Sequence, residues 1–200
     1  KPPYVHPEED KIDFNLQRTL PHKFSQAGPS LSVGDVNGDG LEDVLIGGSA
    51  MHQTTLYLQQ RDGSFALKPS AVNAEGKTEE DMATLMFDAD NDGDLDIYVV
   101  SGSVEYQDSA AYQDRLYRNG GRGSFTLDKS ALPQEYSSGS CVRAADYDGD
   151  GDLDLFVGGR VVPGRYPLAP KSLLLRNDKG SFTNVIDEIA PGLQKVGMVT

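Results

Sequence analysis

The chain has 200 residues and a formal net charge of −13, with 31 acidic residues against 18 basic ones. This length is enough for one or two domains with a sizeable core. The negative charge makes nucleic acid and anionic membrane surfaces poor candidate partners. No apolar run approaches the roughly 18 residues needed to span a bilayer, so we expect no direct membrane insertion.

Three acidic stretches, all with the same spacing, carry 14 of the 31 acidic residues. DVNGDGLED begins at Asp35, DADNDGDLD at Asp88 and DYDGDGDLD at Asp146, so the starts are 53 and 58 residues apart. A merely solvated acidic face predicts neither the fixed spacing, nor the glycines, nor the apolar run after each stretch. Recurrence at this period is typical of a repeat protein. We name the stretches loop 1 (35–43), loop 2 (88–96) and loop 3 (146–154).

Four short strands are predicted in each repeat. A first strand precedes the loop, and a second follows it and ends at a glycine; a third strand and a Gly-containing turn then lead to a fourth. The third and fourth strands read TLYLQQ and SFALKP, then DRLYRN and SFTLDK, then SLLLRN and SFTNVI. Phe65, Phe125 and Phe182 recur in step with the loops. Four strands per repeat predict an all-β fold of four-stranded antiparallel β-propeller blades.

The predicted boundaries give about three to three and a half blades. Residues 29–79 form blade 1, residues 80–136 blade 2 and residues 137–193 blade 3. In the first 28 residues, IDFNL is a possible outer strand of a neighbouring or closing blade. Residues 194–200 are predicted to be the first strand of a further blade, and VIDEIAPGL to form one helical turn before Pro191. Because propellers close with at least four blades, we expect the remaining blades of the same propeller as partners.

Alternate carboxylates with glycines between them suit a hard cation such as Ca²⁺, which takes six to eight oxygen ligands. An EF-hand would need a Glu at position 12, where Ile46, Val99 and Val157 stand, so that alternative is excluded. We predict side-chain ligands at positions 1, 3, 5 and 9 and a backbone carbonyl at position 7, with about three Ca²⁺ ions in all. The ligands are Asp35, Asn37, Asp39, Leu41 and Asp43; Asp88, Asp90, Asp92, Asp94 and Asp96; and Asp146, Asp148, Asp150, Asp152 and Asp154.

The loop pattern, entering a strand that ends in Gly-Gly, resembles FG-GAP/VCBS repeats, the calcium-binding blades of integrin α-subunit propellers and many secreted bacterial proteins. AGPSLSVGDVNGDGLEDVLIGG and VGGRVVPGRYPLAPKSLLLRN also resemble bacterial relatives of the cartilage acidic protein (ASPIC/UnbV-associated) group. The resemblance covers roughly residues 28–200. It implies a propeller, calcium ligation at the positions above and a role in extracellular recognition, without naming a ligand.

A partner surface is predicted on the face of the blades opposite the Asp loops, which we name the long-loop face. The connections there, between second and third strands, are short in blade 1 (SAMHQT) and long in blades 2 and 3 (SVEYQDSAAYQD and RVVPGRYPLAP). Long loops on a rigid scaffold often carry function. The candidate contacts to a protein or glycan ligand are Tyr106, Tyr112, Arg160, Arg165 and Tyr166. The alternative is that Tyr166 and its neighbouring prolines only pack the loop onto its own blade.

Catalytic patterns are not found in the sequence. His6, His22 and His52 lack metal-ligand spacing, and the single Cys141 suits a buried free thiol better than a nucleophile. We therefore expect a binding or scaffold module, secreted or at the cell surface, rather than an enzyme. Two alternatives stay open: the propeller part of a polysaccharide lyase or hydrolase, and a structural spacer in a large surface protein.

Overall fold

The computed structural model describes residues 4–8, 10–69, 72, 77–104 and 109–200. These residues form twelve β-strands, one four-residue α-helix and three short 3₁₀ turns. The strands make three antiparallel sheets of four, each with its strands in chain order. The predicted all-β fold of four-stranded antiparallel sheets is confirmed, and the sheets are consistent with blades of a β-propeller.

The strands follow the sequence repeats. Blade 1 contains β1 (Leu31–Gly34), β2 (Asp43–Ile46), β3 (Thr55–Gln59) and β4 (Phe65–Lys68). Blade 2 contains β5 (Glu80–Phe87), β6 (Asp96–Gly102), β7 (Arg115–Asn119) and β8 (Phe125–Leu127). Blade 3 contains β9 (Ser138–Ala145), β10 (Asp154–Val161), β11 (Leu173–Asp178) and β12 (Ser181–Asn184). Each Asp loop joins the first two strands of its blade, and the Asp at position 9 begins the second strand.

The first strands of successive blades pack side by side, with β5 between β1 and β9. The hydroxyl of Ser32 donates to that of Thr84 across the first of these contacts, at 2.5 Å. One apolar cluster fills the space between blades 1 and 2, and a second fills the space between blades 2 and 3. The recurring Phe125 and Phe182 belong to these clusters, and the ring of Phe182 lies 6.3 Å from that of Phe87. Two of the three recurring phenylalanines therefore help neighbouring repeats to stabilise each other.

The N-terminal segment lies across the long-loop face and contains no strand in its described residues, 4–8 and 10–28. The prediction of an outer strand at IDFNL is wrong, because Asp13–Asn15 form a 3₁₀ turn. The buried carboxylate of Asp13 accepts the backbone N–H groups of Phe24 and Ser25, at 2.5 and 3.0 Å, and so curls the chain back on itself. The segment then contacts blades 1 and 3, since Ser49 donates to the Pro7 carbonyl and Gly164 N–H donates to Gln17.

The C-terminal residues form the predicted helical turn, Ile186–Ile189, followed by a 3₁₀ turn, Pro191–Leu193. Residues 194–200 are not a strand. A strand needs a ladder of hydrogen bonds, whereas the bonds here are isolated ones, such as Val199 N–H to the Gly159 carbonyl at 2.9 Å. That this segment begins a further blade stays a prediction. Among the described residues, no helix combines the length and the apolar character needed to cross a bilayer.

Candidate metal centres

The aspartate at position 1 folds each loop around its own carboxylate. One oxygen of this side chain accepts the backbone N–H of the glycine at position 6, and that glycine has a positive φ, which glycine adopts without steric cost. The bonds are Gly40 to Asp35 (2.8 Å), Gly93 to Asp88 (3.0 Å) and Gly151 to Asp146 (3.1 Å). The glycine φ angles are 83°, 93° and 96°. The glycines predicted from spacing therefore form the turn itself.

The aspartate at position 9 is buried in all three loops, with 0%, 1% and 2% of its surface exposed in Asp43, Asp96 and Asp154. One of its oxygens accepts the N–H of position 2 in its own loop. The other accepts the N–H of the residue near the end of the third strand, at 2.9 Å from Gln59 and 2.8 Å from Asn119 and Asn177. Position 9 therefore fixes the loop to the sheet.

Carboxylates converge in two of the three loops. Asp88, Asp90 and Asp92 in loop 2 each bring one oxygen within 4.8 Å of the others, and so do Asp146, Asp148 and Asp154 in loop 3. Loop 1, all of whose residues are described, has no such group of three carboxylates; its third position is Asn37. The two groups together include every predicted side-chain position, 1, 3, 5 and 9.

The hydrogen bonds at position 7 involve side chains and backbone N–H groups, not the carbonyl oxygens predicted to bind the cation. The side chain of Asp152 does not point freely to solvent, because it accepts from the Asn91 amide at 2.6 Å and from the backbone of Lys179 at 2.9 Å. Leu41 and Asp94 donate their own N–H groups to position 5, Asp39 and Asp92, at 2.9 Å each. Ligation through the three position 7 carbonyls stays a prediction.

The pKa values of the loop carboxyls shift in different directions at different positions. Burial raises the pKa of Asp43, and the neighbouring carboxylates of Asp39 and Asp35 raise it further, against two backbone hydrogen bonds that lower it. Slight burial and the charges of Asp150 and Asp154 raise the pKa of the exposed Asp148. At Asp35 burial opposes the shift, yet four backbone N–H groups lower the pKa of the carboxyl. Crowded carboxylates of this kind repel one another, and a bound cation relieves the repulsion.

An arginine enters loop 2 from β7. Nη1 of Arg118 lies 3.0 Å from Asp96 and 3.4 Å from Asp90, two of the predicted ligands, and its Nε lies 3.5 Å from Asp128. Burial raises the pKa of Asp96, while the hydrogen bonds from Asn119 and Arg118 lower it. The guanidinium therefore already offsets part of the negative charge of loop 2.

Asn119 and Asn177 connect neighbouring loops, and the sequence did not predict this contact. The side-chain amide of Asn119 donates to the Val36 carbonyl of loop 1 at 2.8 Å and to the Leu95 carbonyl of loop 2 at 3.1 Å. Asn177 repeats both bonds one blade later, to Ala89 of loop 2 at 2.8 Å and Leu153 of loop 3 at 3.1 Å. The available signal was the repeated Arg-Asn pair in RLYRN and LLLRN, which blade 1 lacks.

The five predicted partner contacts are not brought together on an open surface. Tyr106 lies outside the described residues. Tyr112 is buried, with 2% of its surface exposed, so its side chain cannot present itself to a partner; aromatic residues of long loops also serve as packing. The guanidinium of Arg160 lies over the ring of Phe24, 5.0 Å from its centroid. Tyr166 packs against an apolar cluster that joins Leu20 and Phe24 of the N-terminal segment to Val161. Arg165 is exposed.

The described residues of the long-loop face form one cleft between blades 2 and 3 and another within blade 2. Two clefts, of about 310 and 260 Å³, both have Tyr136 in their walls, and 44% of this residue is exposed. Lys171 lines the first cleft and Lys129 the second. Asp114, in the wall of the second cleft, is buried, which raises its pKa to about 7. Cys141 is a free cysteine, as predicted, but half-buried rather than buried.

Comparison with protein families identifies the repeats. A model of the FG-GAP-like repeat matches residues 35–99 and 88–157, which together cover more than half of the chain and contain all three Asp loops. The chain therefore belongs to the FG-GAP-like repeat family, and the predicted relationship is confirmed at that level. A comparison with curated proteins found no match.

Proposed function

We propose that this chain is a calcium-stabilised extracellular β-propeller module that binds a protein or glycan partner, with about three Ca²⁺ ions, one in each Asp loop. The observation that carries the proposal is the convergence of three carboxylate oxygens within 4.8 Å in loops 2 and 3. Calcium modules outside cells bind at about 10⁻⁴ to 10⁻³ M, concentrations that the cytosol does not reach. The acidic oxygen ligands therefore favour a secreted or cell-surface location.

The donor set fits a hard divalent cation. Positions 1, 3, 5 and 9 supply only carboxylate and amide oxygens, and calcium accepts such oxygen ligands in a more flexible geometry than the near-ideal octahedron that magnesium requires. A bound ion would supply the positive charge that offsets carboxylate repulsion. In loop 2 that ion competes with the guanidinium of Arg118, which lies 3.4 Å from Asp90, so we expect loop 2 to bind more weakly than loop 3.

A thermal melt tests the calcium proposal. With 10 mM calcium and these dissociation constants, each occupied site adds about 1.4 to 2.7 kcal/mol to the free energy of unfolding. Three sites should raise the melting temperature by about 10 °C or more above that in excess chelator. Magnesium should restore much less, and calorimetry should count about three sites. An identical melt with and without calcium would refute the proposal.

We place the partner site at the two clefts beside Tyr136. The N-terminal segment covers Arg160 and Tyr166, whereas no described part of the chain covers the Tyr136 clefts. An exposed tyrosine provides a rigid contact surface with a polar tip, suited to a protein side chain or a sugar ring. Among the described residues, Lys129 and Lys171 form no ion pair, so both ammonium groups can bind an incoming carboxylate.

Further blades are the second kind of partner that we propose. Leu31 and Val33 of β1 are 60% and 46% exposed, whereas the corresponding residues of β9, Val142 and Ala144, pack against blade 2. A further four-stranded blade would cover Leu31 and Val33 in the same way.

The enzyme and spacer alternatives differ from the binding module in one pair of assays. A glycan array measures binding and a reducing-sugar assay measures cleavage, both in the presence of calcium. Together they distinguish binding without cleavage, cleavage, and neither. Retention without turnover is the result that we expect for a glycan-binding module. Turnover would favour a polysaccharide lyase or hydrolase. Failure of glycans and candidate surface proteins alike would favour the spacer.

A further inference from the structure

Asn119 joins two successive metal loops through a single side chain. Its amide nitrogen donates to the carbonyl of Val36, between positions 1 and 3 of loop 1. The same nitrogen donates to the carbonyl of Leu95, between positions 7 and 9 of loop 2. Its backbone N–H also donates to Asp96, the buried position 9 carboxylate, at 2.8 Å. Asn119 is 3% exposed, so water does not readily replace these bonds.

The geometry recurs at the next interface, which argues against coincidence. Asn177 donates to Ala89 and Leu153, the same two loop positions, at the same 2.8 and 3.1 Å. Its side-chain oxygen accepts the N–H of Gly180 at 2.8 Å, as that of Asn119 accepts from Gly121 at 3.1 Å. The hydrogen bond to its oxygen therefore holds each side-chain amide in the orientation that points its NH₂ group at the two loops.

We propose that Asn119 and Asn177 are positioning residues that couple cation binding between successive loops, so that filling one loop raises the affinity of its neighbour. The proposal rests on the calcium binding proposed above and deepens it. Ordering loop 2 fixes the Leu95 carbonyl and the Asp96 carboxylate, and both fix Asn119. A fixed Asn119 holds the Val36 carbonyl, and with it the turn that carries Asp35 and Asn37.

The expected coupling is the size usual for linked binding sites, a factor of about 5 or more in affinity. The interface between loops 1 and 2 is the better test. At the other interface Asn91 of loop 2 also donates to Asp152 of loop 3, at 2.6 Å, which supplies a second connection. Coupling between loops 2 and 3 should therefore survive in part when Asn177 is truncated.

Calcium titration of the ¹⁵N-labelled 200-residue chain tests the coupling site by site, because each loop has its own reporter amide: Gly40, Gly93 or Gly151. Loop 2 is disabled with Asp88→Asn and Asp92→Asn, and the affinity of loop 1 is measured before and after. We expect a loss of about fivefold or more with Asn119 present. Asn119→Gln introduces the residue type that blade 1 has at the corresponding position, Gln59. In Asn119→Ala and in Asn119→Gln, disabling loop 2 should change the calcium affinity of loop 1 by less than about twofold.

Asn184→Ala is the matched control, since the Asn184 amide donates to Glu135 at 2.9 Å and touches neither loop. This variant should keep the full coupling. Coupling that persists in both Asn119 variants, or is absent from the parent chain while its loops bind calcium, would overturn the inference and leave the calcium proposal standing. A parent chain in which none of the three glycine amides responds to calcium would overturn both.

Discussion

Asp114 should make the stability of the fold fall as the pH rises toward neutrality. Asp114 is buried beside β6, with 7% of its surface exposed, and its carboxyl accepts the Tyr98 hydroxyl at 2.6 Å and the Ser101 N–H at 2.8 Å. Burial raises its pKa from 3.8 to about 7, although both hydrogen bonds and the charge of Arg115 lower it. The dominant cause is therefore the loss of hydration of the charged form.

The sign follows from proton binding. Between pH 3.8 and about 7 the folded protein keeps this proton and the unfolded chain does not. The contribution of Asp114 to stability is therefore fully present below the unfolded pKa of 3.8, and it is lost as the pH rises through the folded pKa of about 7. A shift of roughly three pKa units corresponds to about 4 kcal/mol, of which about 3 kcal/mol falls between pH 5 and pH 8. Above about pH 8 this contribution should be constant.

The perturbation is Asp114→Asn, which keeps the shape and cannot ionise. Urea unfolding of both proteins in saturating calcium gives the free energy of unfolding at each pH. The variant minus parent difference should rise by up to about 3 kcal/mol from pH 5 to pH 8. Taking the difference cancels the titration of the histidines and of the Asp loops. Carboxyl NMR should place the pKa of Asp114 in the parent protein directly.

Tyr98→Phe provides the second arm of this test. Removing the hydroxyl removes one bond that favours ionised Asp114, so the pKa of Asp114 should rise and the fall in stability should extend to higher pH. If the free energy difference between Asp114→Asn and the parent stays constant from pH 5 to pH 8, Asp114 does not have a raised pKa in the folded protein. A pKa near 4 by NMR would show the same, since it would mean that water reaches the carboxyl.

Three further predictions concern a buried ion pair, a close approach and the partner clefts. Lys77→Met should lower the free energy of unfolding, measured in urea, by about 3 to 5 kcal/mol. The buried ammonium of Lys77 lies 3.4 Å from the carboxylate of Asp81 and donates to the carbonyls of Ser49 and His52. The surface variant Lys195→Met should change the free energy of unfolding little. Gly48→Ala should lower the melting temperature, because the new methyl would clash with the carbonyl oxygen of His52. Gly192→Ala should leave the melting temperature unchanged, because its methyl would enter open space. Tyr136→Ala should leave the melting temperature unaltered and abolish retention on a partner or glycan surface. Tyr147 is 37% exposed on the Asp-loop face, so the control variant Tyr147→Ala should still be retained. Equal retention of both variants would show that the Tyr136 clefts are not the partner site.

The features that the sequence predicted well are local ones. An Asp loop, its glycines and the strand after it occupy about fifteen consecutive residues, and their chemistry repeats in register. The buried position 9, seen at Asp43, follows from the same pattern, because that residue both ends the loop and begins β2. A strand boundary could therefore be predicted within a few residues, and the model of the repeat family matches the same stretches.

What the sequence did not predict depends on contacts between distant segments. The bond from Asn119 to Val36 joins residues 83 positions apart, and no local period places them together. IDFNL has the composition of a strand, yet the carboxylate of Asp13 accepts the backbone N–H groups of Phe24 and Ser25, which lie 11 and 12 positions further along the chain. These bonds curl the segment instead. That the long loops carry a partner surface stays a prediction, because loop length does not reveal what covers a loop.

The covered loops change where recognition by this protein should be sought. Phe24 of the N-terminal segment contacts both Arg160 and Tyr166, with its ring 6.5 Å from the tyrosine ring, so a partner reaching those residues would have to displace a segment anchored by buried Asp13. Within the part of the chain that the structure describes, no segment would have to move to open the Tyr136 clefts. Binding there would also leave the Asp loops, on the opposite face, untouched. Calcium should therefore act on partner binding through the stability of the blades rather than by direct contact with the ligand.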